Sequence, residues 1–174
     1  FNSGNPATSG AILGSTPTQF TIRDIVVNEN GIFNLGGRRV NIQNTLVNNG
    51  LIVGNASGST LAYTGTSAQF VNPGTLQDNV LNGLAIDNSD GATLQTSISL
   101  TGVLTLTNGL IQTSNSNLLT IQNTAANAIA TGSASSYING PLARHLPLIA
   151  SGSNTYRFPI GKSAYNQIEL INPI

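Results

Sequence analysis

Apolar residues in this chain come in short runs that alternate with polar ones, as in Val40-Asn41-Ile42, Ile98-Ser99-Leu100, Leu104-Thr105-Leu106-Thr107 and Leu119-Thr120-Ile121. Successive side chains on a strand point to opposite faces. A period of two therefore puts Leu, Ile and Val on one face and Asn, Ser and Thr on the other. The pattern predicts Leu104, Leu106, Leu119 and Ile121 pointing inward and Thr105 and Thr107 pointing outward. Strands this short are not stable as isolated hairpins, so they must stack on similar neighbours.

Turn chemistry separates the runs. Asn-Gly pairs stand at Asn30-Gly31, Asn49-Gly50, Asn82-Gly83, Asn108-Gly109 and Asn139-Gly140. Such pairs close type I′ hairpins, and in a stacked coil the same chemistry turns corners, because the chain must visit left-handed φ at a bend. Gly31, Gly50, Gly83, Gly109 and Gly140 are thus expected to be structural turn residues at positive φ, and Gly109→Val or Gly50→Val to destabilise. The spacing between the pairs is irregular, which coils of variable length accommodate. The predicted fold is all-β: a right-handed parallel β-helix, or β-solenoid, with short coils over residues 1–138. A β-sandwich with Greek-key strands is the rival.

The texture changes after Ile138. Two prolines, the sole His and an Arg crowd Gly140–Pro147, and Arg144, Arg157 and Lys162 make up half of the six Lys and Arg residues. Residues 139–174 read as a cap on the solenoid or a junction into a following β domain, with a strand at Gln167–Ile171.

Composition sharpens the picture. Only 7% of the residues are charged and the formal net charge is zero, yet 39% are hydrophobic, enough to order the chain if the strands stack. Asn, Thr, Ser and Gly make up nearly half of the sequence, while Met is absent and Glu occurs only twice, so long helices are not expected. With no Cys there is neither a disulfide framework nor a cysteine zinc site. Zero net charge and a stretch from Val40 to Ala143 without Lys or Arg argue against nucleic acid, and no apolar run reaches the length for membrane insertion. The chain starts at Phe1 without Met and stops just after a strand-like run, so a much longer exported parent is expected.

The runs Leu46–Val53, Leu61–Gln69, Leu84–Leu94 and Leu104–Ile111, with the ending Gly132–Leu142 and Phe158–Lys162, resemble repeats of large Bacteroidota surface proteins. These are long secreted, often adhesin-like proteins exported through the type IX system. The resemblance spans Phe20 to Leu170 and implies an extracellular, cell-surface location and a β-helix-like stalk. The partners it implies are neighbouring domains of the same long chain, with surface glycans or other cell-surface proteins beyond them. It brings no catalytic residues, and the expected role is a structural and adhesive scaffold rather than an enzyme.

Each candidate site has an ordinary alternative. Arg144, Arg157 and Lys162 with Tyr137, Tyr156 and Tyr165 form the one basic-aromatic cluster and are candidate glycan contacts, although a domain junction with snorkelling side chains explains them equally. Asp87-Asn88-Ser89-Asp90-Gly91 alternates oxygen ligands before a Gly, a faint calcium pattern through Asp87 and Asp90, but it lacks the downstream Glu and is ordinary turn chemistry. No other cofactor is expected. Asp78, Asp87 and Asp90 are the acids that a polysaccharide-degrading β-helix enzyme would use. Thr64, Thr66, Thr105 and Thr107 form Thr-x-Thr pairs too sparse for an ordered binding array. His145 has no sequence neighbour with which to build a nucleophile, base or metal site.

Overall fold

The computed structural model describes residues 10–13, 16–148, 154–171 and 173. Its backbone is almost entirely strand and turn, with one 3-10 turn at Ala126–Ala128. The chain winds into a β-solenoid of about seven turns, its short strands stacked in three parallel sheets of seven, five and five strands.

The first face stacks Ala11–Ile12, Ile32–Asn34, Leu51–Gly54, Thr75–Leu81, Ile98–Leu100, Leu119–Ile121 and Leu142–Arg144. The second stacks Gln19–Val27, Arg39–Asn48, Thr60–Tyr63, Gly83–Asp87 and Leu104–Asn108. The third stacks Gln69–Val71, Ala92–Leu94, Ile111–Gln112, Ile138–Asn139 and Ile160–Gly161. The sandwich alternative fails here, because no face-to-face pair of antiparallel sheets exists among the described residues. The one antiparallel strand pair is Thr155–Phe158 with Ile168–Ile171.

Parallel register places like on like. On the second face Val40, Leu61, Leu84 and Leu104 are consecutive partners, and all are fully buried. On the first, Leu81, Leu100 and Ile121 form such a column, and on the third Ala92, Ile111 and Ile138 do. These columns line one continuous apolar interior. Leu104, Leu106, Leu119 and Ile121 point into it, while Thr105 is half-buried and Thr107 exposed, as the alternation indicates. Each coil completes its backbone hydrogen bonds only against the next, so a strand of three residues is stable in the stack and nowhere else.

Coil length varies as the irregular turn spacing suggested. Leu100 sits beside Leu81, a step of 19 residues (81 to 100), whereas Ile138 sits beside Ile111, a step of 27 (111 to 138). The extra length falls between the strands, including the 3-10 turn with buried Ala128, and leaves the register intact.

Three features differ from the sequence reading. The first two strands of the second face have 9 and 10 residues, because a bulge between Ile22 and Asp24 lets them turn the corner without breaking. Coil pairing also continues beyond Ile138, through Leu142–Arg144 and Ile160–Gly161, while Thr155–Phe158 and Ile168–Ile171 pair antiparallel. Finally, positive φ is found at Gly109 and Gly140 but not at Gly31, Gly50 or Gly83; at the first Asn-Gly pair it is Asn30 that is left-handed, with φ 61°. At Gly50 the need for glycine is close approach: a Cβ would lie 2.5 Å from the Asn28 carbonyl oxygen and would strike that of Gly31, one coil away.

Candidate functional site

The basic-aromatic cluster lies where the antiparallel pair meets the last coils, and most of it is engaged internally. Arg144, on the first face, reaches across to donate from Nη1 to the Arg157 carbonyl at 2.8 Å. Its Nη2 donates to the carbonyls of Ala125 at 2.6 Å and Ala126 at 2.9 Å, gripping the 3-10 turn. The guanidinium stands 5.1 Å from the ring centroid of Tyr156, itself buried. Partial burial lowers the Arg144 pKa from its ordinary value and Tyr156 works against that shift.

Arg157 pairs with Glu169 across the antiparallel strands, Nε to Oε1 at 3.0 Å, and Gln167 Nε2 donates to the same oxygen at 2.7 Å. Tyr165 donates its hydroxyl to Gln167 Oε1, and its ring leans on buried Tyr137 at 5.8 Å between centroids. Burial raises the Tyr165 pKa, Glu169 adds to the rise and Arg157 works against it. Lys162 is exposed. Arg144, Tyr156, Arg157 and Tyr165 are thus engaged in internal contacts, a clamp at the end of the stack.

The acidic candidates do not converge. Asp78 stands on the first face, exposed, accepting from Asn55 Nδ2 at 3.3 Å. Asp87 ends a strand of the second face and Asp90 lies in the following corner, both exposed. Asn88 between them is buried and turned inward: its Nδ2 donates to the Ser67 carbonyl and to Gln69 Oε1, and its Oδ1 receives the Asp90 amide at 3.0 Å. No group of three metal-ligating side chains occurs among the described residues. His145 is exposed, with its backbone amide on the Ile121 carbonyl at 2.8 Å.

A feature that the sequence did not disclose lies at the corner between the second and third faces. Gln69 is buried with all four amide hydrogen bonds made: Nε2 donates to the carbonyls of Ile42 and Asn44, each at 3.0 Å, and Oε1 accepts from Gly65 N and Asn88 Nδ2. This amide ties three successive coils and forms the floor of a polar recess of about 410 Å³ walled by Arg23, Gln43, Asn44 and Thr64–Ala68. A second recess of about 170 Å³ continues it past Ala68, along Ser89–Thr93 to Gln112. Phe70, which follows Gln69 and pairs with Thr93 of the second recess, points outward and is 61% exposed. The signal in the sequence is faint: a Gln where the third-face alternation calls for an apolar residue.

Fold and surfaces together define a parallel β-solenoid with polar corners and a clamped end. Comparison of the chain with known protein families, with curated proteins and with solved structures finds no match.

Proposed function

We propose that the chain is a rigid stalk segment of a long bacterial cell-surface protein, setting distance and presenting neighbouring modules outside the cell. The observation that carries this reading is the unbroken apolar interior along all three faces, which makes the molecule a rod whose length grows with coil number. An extracellular setting accords with the resemblance of the repeats to Bacteroidota surface proteins exported by the type IX route. The Asn, Ser and Thr corners give a surface that is solvated without strong charge. A catalytic reading finds less support, since Asp78 stands on a different face from Asp87 and Asp90.

Antibodies raised against the purified chain test the proposal on intact cells of the source bacterium. Labelling of unpermeabilised cells, removed by external protease, is the expected result. Labelling seen only after the envelope is opened, with the protein in the cytoplasmic fraction, overturns it.

A further inference from the structure

We propose that the corner groove between the second and third faces binds an extended, uncharged polysaccharide lying along the solenoid axis. This goes beyond the stalk reading and stands on separate observations.

The shape comes first. The two recesses meet at Ala68 and draw their walls from five successive coils, from Arg23 to Gln112. Coils repeat at about 4.8 Å, so the groove extends roughly 19 Å in steps of one coil. That step is comparable to one sugar of an extended chain, which suits a repeating ligand better than a compact one.

The chemistry selects among linear polymers. A peptide added as a strand would need free backbone donors and acceptors, and here these donors are spent: Thr64 N on the Ile42 carbonyl and Gln69 N on the Gly91 carbonyl of adjacent coils, and Gly65 N on Gln69 Oε1 of its own coil. A nucleic acid would need a row of cations. The groove has one, Arg23, already facing Asp24 at 3.6 Å. Asp24 is itself held ionised by Thr45 and Asn44, its pKa lowered chiefly by the Thr45 hydroxyl. At the other end stands exposed Asp90, which repels an acidic polymer.

What remains is a wall of neutral amides and hydroxyls. Gln43 and Thr66 are exposed and have no side-chain hydrogen bond among the described residues, so their groups are available to a ligand's hydroxyls. Phe70 supplies the apolar component. It lies next to the floor residue Gln69 and opposite Thr93 of the following coil, and its exposed ring offers a flat surface to the C–H face of a sugar. Amides and hydroxyls for hydroxyl groups, with one aromatic platform and no net charge, is the recognition chemistry of a neutral glycan.

The test is calorimetric titration of the full chain with cellohexaose, xylohexaose, mannohexaose and chitohexaose, and with hexagalacturonate as the acidic comparison. Binding of at least one neutral hexaose is expected, with affinity rising from the disaccharide to the tetrasaccharide. Phe70→Ala is expected to weaken it about tenfold, the range of an aromatic stacking contact. Thr66→Lys, which fills the recess from an exposed position, is expected to abolish it, with melting temperatures unchanged in both variants. Arg157→Ala should leave it intact. The proposal is overturned if no neutral hexaose binds at millimolar concentration, if only hexagalacturonate binds, or if binding ignores the two groove variants and follows Arg157. None of these outcomes alters where the protein is located, so the stalk reading stands or falls separately.

Discussion

Gly109 shows how stacking dictates single residues. It has φ +79° and a Cβ there would collide with the Asn88 carbonyl of the preceding coil, so both backbone strain and close approach exclude a side chain. Gly109→Val is expected to lower stability by at least about 2 kcal/mol, measured by chemical denaturation. Tyr63 is the opposite case. Its ring is buried in the interior, but its hydroxyl finds no partner among the described residues, and burial raises its pKa. A buried polar group without a partner costs about 1–3 kcal/mol, so Tyr63→Phe is expected to stabilise by about 1 kcal/mol or more. The pH dependence has a definite sign. Folded Tyr63 holds its proton more tightly than the unfolded chain, so wild-type stability falls as pH rises above about 10, the unfolded value. That share of the alkaline loss should be missing in Tyr63→Phe.

Among elements, the strands were legible in the sequence and their partners were not. Leu104-Thr105-Leu106 states which side chains turn inward, because alternation is local. Asn-Gly, by contrast, has the same local chemistry in a hairpin as in a coil corner. Only the register, with Leu84 beside Leu104, distinguishes the two. Gly50 reads locally as a left-handed turn residue, but its requirement comes from Asn28 and Gly31 on another coil, which no short window around residue 50 contains. Gln69 is hidden for the same reason: three of its four partners, on Ile42, Asn44 and Asn88, lie on other coils, and alone it reads as one more polar residue. The Arg144 clamp was visible as a cluster, and its contacts show what the cluster does. Arg144→Ala removes three carbonyl contacts and the stack on Tyr156. It is expected to speed amide exchange in Thr155–Phe158 while leaving Leu81–Leu106 protected. Arg144→Lys should not restore protection, since a point charge cannot span three carbonyls. Equal exchange in both segments would show that the clamp is not a local device.

At the scale of the whole molecule, the central claim is that successive coils lie in parallel register, one strand spacing apart, on every face. Val80, Ser99, Thr120 and Ala143 form a half-buried column along the first face, each beside the next. The chain has no Cys, so each can be changed to Cys and spin-labelled without background. Pulsed and continuous-wave dipolar measurements on the pairs Ser99/Thr120, Val80/Thr120 and Val80/Ala143 then read one, two and three coil steps. The expected result is a separation that grows evenly by roughly 4.8 Å per coil. Separations that fail to increase in that order, or a Val80/Ala143 distance no longer than the Ser99/Thr120 distance, would contradict the solenoid itself.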